Sequence, residues 1–416
     1  MRALIISPLF PRRPDAEAFC GGKFVQGLID AELEATVICS HNMRPAFKRD
    51  MSACWDALEA GIVDVPNPLL PLALRCWLGA KYQTTASTGW TAAVVAKAKE
   101  LHYKRPFDLI VSRSHPWYAH VAGYWVASEL GIPWIANFND PWDPAPFLTR
   151  ETARLAGKRG LDDNFWKRRV LSCATVVTFP CQRLRDYTLR GQHRRSQVHI
   201  VPHIGARLKP GEPSRDFVIV HAGTLHRDKG TGRRANAVIE GLLGLFEARP
   251  SARNRTRLVL VGEEDIRTTR YAAQLGVSHV VSCAGHVSYE ASLRHIAEAS
   301  ICLLVESDVP VGVFLPSKLC DYIVARKPVL ALSPAIGTVD DIAREGGIIR
   351  VDPNDWRGVS HALTSLFDGF AGGNLDAYAP PLSLAKRYES KAVIDEFLEL
   401  VSGAARDGVR TRRAER

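Results

Sequence analysis

The sequence predicts an α/β protein of two Rossmann-like domains whose parallel sheets face a central cleft. Three observations predict it. The chain has 416 residues, more than one core usually organises, so two domains of roughly 200 residues each are expected. Strand-like and helix-like patterns alternate along almost its whole length, as they do where parallel strands are joined by crossover helices. The stretch Ala206 to Arg215, with two prolines and a glycine, divides the pattern into two series.

In the first series, short apolar runs predict strands near 2–7, 35–39, 107–112, 133–137, 174–178 and 198–201. The clearest helix between them covers 87–102, where Trp90, Val94, Ala98 and Leu101 fall at helical spacing. The second series opens at Phe217 to Ala222 and continues near 257–261, 279–284, 301–305, 328–332 and 348–351. A last helical pattern, 386–403, follows Pro380-Pro381. The domain reading is therefore 1–208, then 209–385, then the helix 386–403, then a basic tail 404–416.

Hydrophobic residues make up 46% and charged residues 24%, an ordinary globular balance, with no low-complexity tract or fixed-period repeat. The first apolar run, Ala3 to Ile6, stops at Pro8 and is too short for a signal-peptide core. No uncharged stretch approaches the roughly 20 residues that cross a bilayer. Nine cysteines without a C-x-x-C pair suit free thiols in a reducing cytoplasm.

The net charge of +10 is spread over small clusters such as Arg12-Arg13, Lys167-Arg168-Arg169 and Arg233-Arg234. These read as solvated surface or as attraction to an anionic partner, a membrane face or a phosphate-bearing acceptor. A nucleic-acid reader is disfavoured, because the clusters are not interleaved with aromatics and no zinc finger or RNP-like run occurs. Pro66 to Leu78 is apolar nearly all round. It reads as a buried element on the sheet or as an interfacial one that meets a membrane or a lipid-linked acceptor.

In open parallel sheets ligands bind beyond the carboxyl ends of the strands. There the sequence places Gly21-Gly22, His115, Asn139-Asp140, Lys229, Glu263-Glu264, His286 and 306–318. In Phe314-Leu315-Pro316-Ser317-Lys318-Leu319-Cys320-Asp321-Tyr322, the proline suits a first helical turn. The amides of Ser317, Lys318 and Leu319 then face outward where the helix dipole favours an anion. Asp321 lies one turn past Ser317 on the same face, placed to accept from a ribose. The loop His221 to Gly230, with Gly223, Thr224, Arg227 and Lys229, brings cations to a phosphate, though it lacks the Walker order. Gly21-Gly22-Lys23 lets backbone approach a ligand, but no G-x-G-x-x-G is present, which weakens a dehydrogenase reading. Asp140-Pro-Trp-Asp143 is short of the clustered hard ligands that Mg²⁺ prefers, so no metal and no cofactor are expected.

These segments carry a resemblance. The C-terminal half resembles glycosyltransferase family 4, the GT-B-fold, retaining, nucleotide-sugar-dependent enzymes, most specifically in Gly223 to Gly230 and Leu315 to Val329. Ser114-His115-Pro116 and Ala136 to Trp142 are similar to segments of a bacterial subgroup that builds surface polysaccharides. Val201-Pro202-His203 resembles that family's strand into the linker. The resemblance implies that Lys229 binds the donor diphosphate and that Asp321 stands for the second of two glutamates eight positions apart, the one that holds the ribose. It implies that Pro316, Ser317, Lys318 and Leu319 open the phosphate-binding helix and that His286 and Val287 lie against the nucleobase. Gly22 would bring backbone to the phosphates. His115 and Asp140 would face the transferred sugar and the acceptor, giving His115, Asp140 and Lys229 as catalytic candidates. The implied partners are a nucleotide-sugar donor and a glycan or lipid-linked acceptor, with the final helix crossing back to the N-terminal domain.

Two departures stand out. The family's first glutamate falls at Val313, and an arginine common after the first glycine is Thr224, for which Arg227 is the candidate substitute. The alternatives to sugar transfer are a nucleotide-sugar epimerase on the same fold and a degenerate subunit that binds nucleotide or glycan without turnover.

Overall fold

The computed structural model describes residues 1–10, 16–40, 58, 61–85, 87–142, 160–192, 196–209, 211–212, 214–225, 233–263 and 266–414, the stretches 160–163 and 404–414 by backbone alone. Contacts divide the chain into two compact units. Among the described residues, unit 1 runs to His203 and includes the chain from Ser390 onward; unit 2 spans Ile204–Glu389.

Unit 1 contains β1 (Arg2–Ile6), α1 (Ala16–Asp30), β2 (Glu34–Ser40), β3 (Ile62–Val65), α2 (Leu72–Tyr82), α3 (Thr88–Lys104), β4 (Leu109–Ser114), α4 (Tyr118–Leu130), β5 (Trp134–Phe138), α5 (Gly160–Cys173), β6 (Val176–Phe179), α6 (Gln182–Leu189) and β7 (Gln197–Ile200). Its seven-stranded sheet has the order β3-β2-β1-β4-β5-β6-β7, all pairs parallel. The apolar runs Leu4-Ile5-Ile6 and Ile110-Val111 are buried on both faces, as strands covered by helices on each side must be.

Unit 2 contains β8 (Phe217–Ala222), α7 (Asn236–Ala248), β9 (Thr256–Val261), α8 (Ile266–Gln274), β10 (Val281–Gly285), α9 (Tyr289–Glu298), β11 (Ile301–Val305), α10 (Ser317–Val324), β12 (Val329–Leu332), α11 (Thr338–Ala343), β13 (Ile348–Val351), α12 (Trp356–Ala371) and α13 (Leu382–Arg387). Its parallel sheet has the order β10-β9-β8-β11-β12-β13. Phe217, Ile219, Leu258, Ile301 and Leu330 form its core with Leu242 and Leu245 of α7 and Leu363 and Leu366 of α12. The Asp355 carboxylate starts α12 by accepting the Gly358 N–H at 2.9 Å.

The strands fall within about two residues of their expected places, the usual scatter of element ends, with two differences. The strand β3 was not expected; it is four residues long, and its apolar alternation is too brief to stand out. The final pattern, expected as one helix over 386–403, is two: α13 ends at Arg387, and α14 runs Ser390–Ala414. Helix α14 packs within unit 1, where Phe397 meets Phe24 of α1 edge-to-face at 4.9 Å.

Candidate active site

Each sheet has one place where strand order reverses, β1/β4 in unit 1 and β8/β11 in unit 2. The side chains that gather at their carboxyl ends are the candidates.

In unit 2 the turn after β8 is built on glycine. Gly223 has φ +116° and Gly262, after β9, has φ +142°. A Cβ at 262 would stand 3.0 Å from the carbonyl carbon and oxygen of Gly223, so both positions require the missing side chain. The Gly223 N–H donates to Val261 O at 2.7 Å. The Ala222 N–H donates to the fully buried Tyr322 hydroxyl at 3.1 Å, which ties the turn to α10.

Lys318 closes the arrangement. A Cβ on Gly223 would lie 2.7 Å from its Nζ, so its ammonium reaches from the start of α10 to the turn after β8. Burial, reinforced by Arg233, pushes the ammonium down to about 7, and Glu306 opposes that shift. Glu306 follows β11 and is half-buried. Burial pushes its carboxyl up, while the Ser333 hydroxyl that donates to it, Arg233 and Lys318 draw it back. His221, wholly buried, has its Nδ1 3.0 Å from Leu303 O. It is held well below the ordinary histidine value by burial and by Lys318, so it stays neutral.

The opening of α10 differs from expectation in two details. Pro316 is the N-cap residue rather than the first helical one. The Leu319 amide donates to Pro316 O at 2.9 Å, so it is spent within the turn, and the amides of Ser317 and Lys318 remain as the opening pair. Asp321 is 6% exposed, and its Oδ1 accepts the Ala206 N–H at 2.7 Å. That carboxylate therefore anchors the strap 204–206 to the buried side of α10. Thr224 is half-buried beside Gly223, whereas the exposed His286 and half-buried Val287 lie past β10, the edge strand. Arg227 and Lys229 lie outside the described residues. Val313 is buried; beside it, the Glu306 Oε2 is 3.8 Å from where a Cβ on Gly312 would stand.

In unit 1, His115 is exposed directly after β4, and Asp140 is half-buried after β5. Gly22 is not in a loop: it is buried within α1, so its backbone belongs to a helix. Asp143 lies outside the described residues. What the sequence reading missed is a buried polar cluster. Arg113 Nε donates to Glu17 Oε1 at 3.2 Å, and Asn139 Nδ2 donates to Glu17 Oε2 at 2.7 Å. The Arg113 guanidinium also lies 5.0 Å from the Phe24 ring centroid. Lys23 and His203 are buried nearby, and burial with Arg113 and Lys23 pushes His203 down to about 3. The one available signal was Arg113, a charge inside an apolar strand. Behind it, Ser112 Oγ accepts from Trp134 Nε1 at 2.8 Å and bonds His120 Nδ1 at 2.8 Å. Burial pushes His120, stacked 4.6 Å from Phe138, down to about 3.

Against this geometry the comparisons can be read. Residues 22–203 match the model of a glycosyl transferase 4-like domain. A search of curated proteins finds no significant match. Solved structures resemble the chain over nearly its whole length. Anabaena HepE, solved with UDP and glucose, has a TM-score of 0.64 at 14% identity and covers 97% of this chain and 100% of its own. Sucrose-phosphate synthase from Thermosynechococcus elongatus gives 0.66 at 16% identity, over 97% and 98%. A putative UDP-N-acetylglucosamine 2-epimerase from Listeria monocytogenes gives 0.60 at 13%, over 95% and 94%. The two parallel-sheet units thus form the GT-B fold.

Proposed function

We propose that the chain is a glycosyltransferase that binds a nucleotide-diphosphate sugar at the β8/β11 strand ends and passes the sugar to a glycan or lipid-linked acceptor with retention of configuration. The observation that carries this is the meeting of a lysine ammonium, a glycine turn and a helix opening at the strand-order reversal of unit 2. A diphosphate is the ligand such a set suits: the turn admits it closely, and the Ser317 and Lys318 amides and the ammonium supply positive charge. The matched family domain and the fold shared with HepE support sugar transfer within that class.

The chemistry follows from where charge appears. As the glycosidic bond breaks, negative charge develops on the departing diphosphate, and Lys318 with the helix opening offsets it. One well-placed donor is typically worth ~3–4 kcal/mol in such a role. Lys229 and Arg227, which the resemblance assigns to the same diphosphate, add to this. Glu306 accepts from hydroxyls of the sugar, filling the role that Val313 cannot. The Asp321 carboxylate, which accepts from Ala206, keeps α10 in place, and the ribose contact is the role the resemblance assigns to it. His115 and Asp140 present the acceptor side. No metal is needed for this set, so activity persists in excess chelator.

An epimerase is the second reading, favoured by the UDP-N-acetylglucosamine 2-epimerases among the structures sharing this fold. Incubation with UDP-glucose and UDP-N-acetylglucosamine labelled in the sugar, with and without membrane-extracted acceptors, separates the readings. Label moving to acceptor supports transfer. Label appearing only in an isomeric nucleotide-sugar supports epimerisation, and binding without change of label refutes both.

A further inference from the structure

A helix bordering a core normally turns its polar side to water; α2 turns large apolar side chains there as well. Its buried residues are Leu78 and Tyr82, while Leu72 and Trp77 are 66% and 59% exposed and Leu69, just before it, is fully exposed. At helical spacing Leu72, Ala73, Cys76, Trp77 and Ala80 form one outward stripe, every member exposed.

This stripe is not a fraying end. Trp125 Nε1 donates to Tyr82 O at 3.0 Å and Trp166 Nε1 to Gln83 O at 2.7 Å, and Arg169 donates to the Gln83 side chain. These donors satisfy carbonyls at the end of α2 and fix it on unit 1. At its other end Gly89 of α3 admits Pro68 and Leu70 so closely that a Cβ there would lie 3.1 Å from Leu70 Cδ1. An apolar stripe held firmly in water marks an interaction surface.

Its charge identifies the partner. Arg75 and Lys81 are exposed on the same helix, with Lys81 Nζ 5.7 Å from the Trp77 ring centroid. Arg169 lies within reach of the rings of Tyr124 and the 45%-exposed Phe165. No Asp or Glu occurs between Asp64 and Glu100. Among the described residues, the carboxylates of α3 and α4, Glu100 and Glu129, are paired with Lys97, Lys104 and Lys99. Leucine and tryptophan flanked by cations suit the boundary between acyl chains and anionic headgroups. Among the described residues no helix is long and apolar enough to cross a membrane, so the contact is interfacial.

We propose that α2 docks unit 1 on a bilayer rich in anionic lipid, with Leu72 and Trp77 entering the acyl boundary and Arg75 and Lys81 meeting lipid phosphates. The test is flotation of the full chain with phosphatidylcholine vesicles and with mixed phosphatidylcholine–phosphatidylglycerol vesicles. The wild type floats with the mixed vesicles alone. Leu72→Ser with Trp77→Ser lowers binding about tenfold or more, and Arg75→Ser and Lys81→Ser cost about fivefold each. All four positions are exposed, so unchanged thermal unfolding shows the variants folded. No flotation with the mixed vesicles, or equal flotation of the wild type and all three variants, overturns the proposal. So does a wild-type dimer that Leu72→Ser with Trp77→Ser dissolves without any vesicle binding, because the stripe then serves a second copy.

Discussion

Lys318 makes the site sensitive to pH in a way that can be worked out in advance. In the free protein burial and Arg233 hold its ammonium at about 7, so near neutrality it is half protonated. A diphosphate beside Nζ favours the protonated form and raises that value. Binding of a nucleotide-sugar, whose diphosphate is a diester ionised throughout, is therefore strongest below about pH 7 and weakens above it. The fall approaches tenfold, ~1.4 kcal/mol, per pH unit until the value in the complex is reached. Between about pH 7 and about pH 9 the loss is at most about a hundredfold. His221 is buried and stays neutral across this range, so it does not mask the slope. Lys318→Met removes the slope and, at about pH 6, weakens binding by ~1.5–3 kcal/mol, the worth of a hydrogen bond to a charged group. Isothermal titration across that range measures both. A wild type whose affinity ignores pH, or a Lys318→Met variant that keeps both affinity and slope, refutes the reasoning.

Other outcomes follow from the same geometry. Glu306 raises the Lys318 value, so Glu306→Gln moves the titration midpoint of nucleotide-sugar binding below 7, and an unmoved midpoint separates the two groups. His120 and His203 are both held at about 3 in the fold but titrate near 6.5 when unfolded, so the unfolded chain binds more protons between those values. Stability of unit 1 is full above about pH 6.5 and falls below it by up to ~1.4 kcal/mol per pH unit per histidine. Urea unfolding at descending pH reads this, and His120→Asn lowers the slope. Lys229→Ala is expected to lose most transfer activity with unchanged thermal unfolding, and unchanged turnover removes that lysine from the mechanism.

Much of the fold was legible because buried parallel strands announce themselves as short apolar runs, as at Phe217–Ala222 and Ile301–Val305. The start of α10 was legible too, since proline followed by polar residues marks a helix opening. The direction of the Lys318 side chain was not, because it depends on the absent side chain at Gly223, some 95 positions away. Nor was the Glu17–Arg113–Asn139 cluster, whose members come from α1, β4 and the end of β5 and meet only when the sheet assembles. Asp321 shows the opposite hazard: its spacing suits a ribose, yet one oxygen is committed to Ala206. For α2 the apolar period is the same whether its stripe faces a core or water, and Trp125 and Trp166 settle its placement from elsewhere in the chain.

Hydrogen–deuterium exchange of the full chain, with and without saturating nucleotide-sugar, asks most directly whether the β8/β11 strand ends hold the donor. Protection centred on peptides spanning 221–230, 304–308 and 316–320 is the predicted result. No protection at those peptides, with binding shown independently, contradicts the assignment.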